Sequence, residues 1–179
     1  DTHDVTSSLM GGVTRKQAKD IGFGLVYGMG IDLLAEKLKC SPEEARRLKE
    51  LFLRSMPNAA AFIKSVIRKA KETGFISNPW GRVFKFSAED AYKAVNYLIQ
   101  SSGAEILRDA MNELDKMYLG NPYVKMILTV HDEICFSIHK DHLHEIENIK
   151  HVMRTVYKHK ILPMDVDCKI SAESWGKCG

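Results

Sequence analysis

The sequence predicts an α+β chain, mostly helical in its first half and mixed in its second. Three observations predict it. Apolar residues recur at helical spacing as far as Thr73, with cap and stop signals around each run. Turn chemistry at Asn78-Pro79-Trp80-Gly81 then separates two short β-rich runs. From Val124 the pattern changes again, to two apolar strands around His131-Asp132-Glu133.

Each element has its own signal. Asp1 to Gly12 reads as a short helix ending in Gly11-Gly12. Thr14 followed by Gln17 is a capping-box pattern, so a helix starts at Arg15, runs to about Tyr27 and stops at Gly28-Met29-Gly30. Leu33, Leu34 and Leu38 recur at helical spacing in a short segment after it. Ser41-Pro42-Glu43-Glu44 combines a Ser cap, Pro in the first turn and acids facing the dipole; that helix ends before Pro57. The next covers Asn58 to Thr73, with Gly74 as its stop. Phe75-Ile76 and Val83 to Phe86 form the two β-rich runs. Ser87 with Asp90 caps a helical stretch reaching about Tyr118, with a break or kink expected at Ser101-Ser102-Gly103. Val124 to Val130 and Ile134 to Ile138 make an antiparallel hairpin, because so short a connection allows nothing else. Asp141 to about His159 reads as a helix, and Met164 to Ser171 alternates as a half-buried strand.

Composition bounds the function. The chain has 179 residues, 45% hydrophobic and 27% charged, the profile of an ordinary globular chain. No apolar run is long enough to span a bilayer, and Asp1-Thr2-His3-Asp4 lacks a signal-peptide pattern; a cytoplasmic protein is expected. Cys40, Cys135, Cys168 and Cys178 stand far apart with no CxxC pair, which argues against a disulfide framework or zinc ribbon. Residues 1–85 hold 15 Lys+Arg against 9 Asp+Glu, whereas 86–179 hold 11 against 14. The basic half suits a polyanion and the acidic half a metal ion.

The strongest chemical signal is on the helix from Arg15. Arg15, Lys19, Phe23 and Tyr27 are four apart and share one broad face. Two cations at a helix N-terminus oppose the dipole, and together with the free N–H groups they suit a phosphate. Phe23, one turn on, offers a flat surface for a base. A surface helix with two solvated cations and two core aromatics fits the same spacing. Gly22 and Gly24 each cost about 1 kcal/mol relative to Ala, which implies a close approach or a need to move.

The run Arg15 to Gly28 resembles the fingers-helix motif of the family A DNA polymerases, R-x3-K-x3-F/Y-x3-Y-G, departing from it at Gly22, where the family usually has Asn. The resemblance implies that Arg15 and Lys19 hold the triphosphate of an incoming dNTP. Phe23 would stack on its base and sugar, with Tyr27 beside the nascent pair. Val130-His131-Asp132-Glu133-Ile134 resembles the family's palm motif. It implies Asp132 as a catalytic Mg²⁺ ligand, Glu133 as an auxiliary carboxylate and His131 as a contact near the primer end. Two-metal phosphoryl transfer needs a second Asp, which the family supplies from an upstream palm strand absent from these residues. Asn96 and Gln100, four apart on one helix face, match amides that face the primer-template duplex, where minor-groove acceptors occur on every pair. Tyr92 stands where cellular members usually have Arg, and Gln100-Ser101-Ser102-Gly103-Ala104 is closer to phage-type members; a bacterial or phage-infected cell is the expected setting.

The resemblance thus implies a right-hand polymerase fragment: a mostly helical fingers subdomain at 1–86 and, at 87–179, the C-terminal part of a palm with a small antiparallel sheet. Its partners would be primer-template DNA, dNTP and the remainder of the polymerase, with no membrane. Such a fragment is expected to be inactive alone. A non-catalytic DNA-binding module and a metal-dependent phosphohydrolase built on His131-Asp132 are the competing readings. Lys64, Arg68 and Lys71 form a basic stripe read as a solvated face, and His139, His142 and His144 are read as surface residues.

Overall fold

A computed structural model describes residues 4, 7–8, 13–158 and 163–178; the expected helix at 1–12 lies largely outside them. The first described helix, α1 (Arg15–Val26), begins where its capping box places it: the Thr14 hydroxyl accepts from the Gln17 amide at 3.2 Å, and the Gln17 side-chain oxygen accepts from the Thr14 amide at 3.0 Å. α2 (Ile31–Leu38), α3 (Pro42–Ser55) and α4 (Pro57–Thr73) follow, the last stopping at Gly74 in the left-handed region. Ala18, Ile21 and Leu25 of α1 are buried with Leu34 and Ala35 of α2 and Ala45, Leu48 and Phe52 of α3. The three helices therefore share one apolar core, and burying each of its larger side chains, Ile21, Leu25, Leu34, Leu48 and Phe52, is worth about 1.5–3 kcal/mol.

β1 (Phe75–Ser77) and β2 (Val83–Lys85) pair antiparallel. Buried Asn78 organises their turn: its Oδ1 accepts from the amides of Trp80 and Arg82, and its Nδ2 donates to Ser101 Oγ at 3.2 Å. A 3₁₀ turn at Asp90–Lys93 leads into α5 (Ala94–Tyr118). The expected break at Ser101-Ser102-Gly103 is not there; α5 is helical throughout. An interior glycine costs only about 1 kcal/mol, and a helix of this length packed at both ends carries it. Ser101 is a tie, bonded to the Leu98 carbonyl and to Asn78.

The chain divides into two compact units between Ser101 and Ser102. In the second unit, β3 (Val124–Val130) and β4 (Glu133–Ile138) form an antiparallel hairpin whose register shifts between Met126 and Leu128. Its base joins a core of Leu114, Tyr118, Val124 and Ile149, against which Ile134, Phe136 and Ile138 pack. The expected helix after Asp141 is a 3₁₀ turn at Lys140–His142 followed by α6 (Glu145–Thr155). The expected strand at Met164–Ser171 forms no ladder among the described residues. Its alternation survives only in part: Met164 and Val166 are half-buried between exposed Asp165 and Asp167, but Cys168 and Ile170 are exposed. Alternation marks which face can be buried; a strand also needs a paired edge.

Candidate functional site

Arg15, Lys19, Phe23 and Tyr27 are all exposed, on the side of α1 away from buried Ala18, Ile21 and Leu25. The aromatics are thus surface residues, which removes the alternative that placed them in the core. The row is continuous. Lys19 Nζ lies 5.6 Å from the Phe23 ring centre, and the Phe23 and Tyr27 rings are 6.3 Å apart, tilted by 43°. Lys19 has no carboxylate partner among the described residues. Arg15 differs from its sequence reading as a cation held ready for an anion: its Nε pairs with Asp4 at 3.2 Å. Both side chains are more than half exposed, so this pair is worth about 0–1 kcal/mol and would yield to a phosphate.

The glycines now have a physical reason. A Cβ at Gly22 would sit 3.3 Å from the Phe52 ring, so this face of α1 meets α3 at close range. Gly28 has φ +66, and a Cβ there would lie 2.6 Å from a ring carbon of Tyr92 and 3.0 Å from its carbonyl oxygen. That contact was not read from the sequence. Tyr92, Asn96 and Gln100 recur every four residues, and this spacing was the available signal.

Gln100 Nε2 donates to the Tyr27 hydroxyl at 3.0 Å, joining the helix that carries the two amides to the end of α1. Asn96 is one turn before Gln100, its side-chain oxygen buried without a hydrogen-bond partner. Buried polar atoms are nearly always paired, and the Asn96 oxygen is an exception among the described residues.

In the second unit, Val130 pairs with Glu133, leaving His131 and Asp132 as a two-residue loop. His131, Asp132 and Glu133 are all exposed. His131 has φ +55, one of two non-glycine residues with positive φ among those described. Tight hairpins require positive φ in the loop and usually fill it with Gly or Asn. A histidine held there is local strain of the kind that gathers at functional sites. Glu133 alternates with core-facing Ile134, Phe136 and Ile138, which puts it on the opposite face of β4.

The donor set at this tip fits Mg²⁺ in part. Mg²⁺ takes one or two protein carboxylates and completes its shell with water and phosphates, and Asp132 with Glu133 offers that much. Among the described residues, no group of three or more His, Cys, Asp or Glu could hold a metal ion. The phosphohydrolase reading, which needs further ligands around Asp132, therefore has no support among them. No described helix is long and apolar enough to cross a membrane. His139 and His142 are more than bystanders: His142 stacks on Tyr123 at 4.3 Å and 8°, with His139 edge-on to the same ring, at the base of the hairpin away from the carboxylates.

The family model described as DNA polymerase family A matches residues 1–177. DNA polymerase I of Helicobacter pylori (strain ATCC 700392 / 26695) is 29% identical over 167 residues, 88% of this chain and 18% of that protein. The DNA polymerase of Mycobacterium phage D29 is 34% identical over 124 residues, 69% of this chain and 20% of its own length. Among solved structures, the POL domain of Pol1 from M. smegmatis, in complex with DNA primer-template and dNTP, superposes with a TM-score of 0.82 at 26% identity, covering 92% of this chain and 32% of that one. The chain spans about a fifth of the length of these two curated relatives.

Proposed function

The chain belongs to DNA polymerase family A, and from that premise we propose that it supplies the nucleotide-binding and part of the catalytic surface of a DNA-directed DNA polymerase. Residues 1–86 act as fingers and 87–179 as the C-terminal part of the palm. The observation that carries this reading is the outward row on α1, Lys19–Phe23–Tyr27, with a cation, a flat ring and a second ring in the order of a nucleotide's parts.

The reaction joins the primer 3′ oxygen to the α-phosphorus of a dNTP and breaks the bond to the β-phosphate, releasing pyrophosphate. Lys19 and Arg15 neutralise the triphosphate at the N-terminus of α1, where free N–H groups add to their field. Phe23 stacks on the base and sugar, and Tyr27 borders the new pair. Asn96 and Gln100 hold the duplex through groove acceptors common to all pairs. Asp132 is the residue here that would hold Mg²⁺, with Glu133 beside it and His131 close to the primer end. Bound there, Mg²⁺ would supply activation of the 3′ hydroxyl and neutralisation of charge on the leaving pyrophosphate. The second carboxylate of such a site would come from the remainder of the polymerase.

Primer extension tests the reading. The chain combined with the thumb and upstream palm extends a primer on a template, and Asp132→Ala abolishes it. Extension surviving Asp132→Ala removes the metal-ligand assignment. Duplex binding without extension by the assembled protein favours the non-catalytic DNA-binding module.

A further inference from the structure

α1 carries three cations, Arg15, Lys16 and Lys19, and a single carboxylate, Asp20. The acid stands in an awkward place. It follows Lys19 directly and lies three residues before Phe23, so it flanks the outward row. Side chains on a helix lean towards its N-terminus, which tips this carboxylate towards the end where Arg15 and Lys19 stand. A negative charge there repels any anion that those cations hold.

Asp20 does not stand bare. Its side chain is only 18% exposed, so water screens it poorly, and its Oδ1 lies 3.5 Å from the Nζ of Lys37, in the last turn of α2. Among the described residues, Lys37 is the cation within ion-pair distance of Asp20; Lys16 and Lys19, nearer in sequence, make no such contact. Stability does not require the pair. Ile21 and Leu25 of α1 already share a core with Leu34 and Ala35 of α2, and a bridge with its lysine 43% exposed adds little. What the pair changes is the field beside the row. With Lys37 in place that flank is neutral, and Lys19 keeps its full attraction for a phosphate.

We propose that Lys37 of α2 cancels the Asp20 charge beside the outward row of α1, and so sets how tightly the polymerase holds the triphosphate of a dNTP. This rests on the proposed role of Lys19 in holding that triphosphate and goes beyond it. Lys37 is a positioning residue: it acts through Asp20 and touches no part of the nucleotide. The pair is also a point where affinity can be set in either direction, since removing the acid and removing the base have opposite effects on the same field.

The test is a double-mutant cycle in the polymerase completed with its thumb and upstream palm, reading kcat and the KM for dNTP in primer extension at low salt. Lys37→Met keeps the stem and removes the charge. It is expected to raise the KM about 3- to 10-fold with kcat nearly unchanged, the scale of one unpaired charge near a protein surface. Asp20→Asn keeps the shape and is expected to lower the KM about 2- to 5-fold, because Lys37 is then a free cation. The double variant returns to within about 2-fold of the unmodified enzyme, and all three differences shrink as salt rises to about 0.5 M. A bridge that serves structure alone gives another pattern: both single substitutions raise the KM, the double variant is no better than Lys37→Met, and salt has no effect. That pattern overturns the proposal, and so does a KM that falls in Lys37→Met. Failure of the underlying reading looks different again, because Lys19→Ala then leaves the KM for dNTP unchanged.

Discussion

α1 and the β3–β4 hairpin present their chemical groups in opposite ways. α1 carries its row along one side, with a full apolar face behind it: Ala18 and Ile21 have no exposed surface at all. The hairpin carries its groups at a tip, and its support is one face of β4, Ile134, Phe136 and Ile138, together with the base of β3. Val124 at the base is buried, whereas Ile127 and Leu128, further along β3, are exposed. A helix side offers a row of groups four residues apart, suited to an extended ligand. A hairpin tip offers a point, suited to one ion. The difference also sets where each is strained, since α1 has ordinary helical backbone and the tip holds His131 at φ +55.

If the tip is a point of chemistry without structural duty, Asp132→Asn separates activity from stability most sharply. Primer extension by the completed polymerase falls about a thousandfold or more, the scale of several kcal/mol of lost charge stabilisation. The melting temperature stays put, because an exposed loop carboxylate touches no core. A large fall in melting temperature would erase the contrast. For α1 the converse holds. Ile21→Ala should destabilise the first unit by about 2–5 kcal/mol in urea unfolding, as a fully buried aliphatic side chain is cut back. A cost below about 1 kcal/mol would mean that the row is not backed as described.

This contrast also explains what the sequence made legible. α1 was readable to its first residue because cap, period and stop all act within the segment itself. The hairpin was readable because two apolar runs around a two-residue turn have one arrangement. What failed depended on partners elsewhere. Ser101 and Gly103 look like breakers locally, yet Asn78, distant in sequence, ties Ser101 into an unbroken α5. Met164 to Ser171 alternates like a strand, but pairing is not a property of one segment. The pairing of Arg15 with Asp4 and the seat of Tyr92 on Gly28 were equally out of reach, since spacing does not say which residues meet.

Smaller effects sharpen the contrast within each region. Lys19→Ala should raise the KM for dNTP about 10- to 100-fold, the range of a lost charge-assisted contact, with the duplex Kd nearly unchanged. Equal losses in both would make Lys19 a general phosphate contact and break the ordered row. His131→Gly should raise the stability of the second unit by about 0.5–1 kcal/mol, the cost of left-handed backbone less the added chain entropy of glycine. Reduced primer extension in that more stable variant would show strain kept for function. An unchanged or lower melting temperature would mean that the loop pays nothing for its histidine.

The smallest effect concerns the support at the hairpin's base. Tyr118 belongs to that core and donates its hydroxyl to Glu145 at 2.8 Å. Hydrogen bonds from Asn148 and Tyr118 hold the Glu145 carboxyl below its ordinary value of 4.5, while burial and then the Glu145 bond push the Tyr118 hydroxyl up. A carboxyl depressed in the folded state contributes stability above its unfolded value, and that contribution fades as pH falls through the folded one. The melting-temperature advantage of the unmodified chain over Tyr118→Phe should therefore be full at pH 7 and shrink as pH drops below about 4.5. Thermal scans of both proteins across that range check it. An advantage that stays constant into acid would place the value of Tyr118 in its ring alone, leaving the hairpin's base as purely apolar as the back of α1.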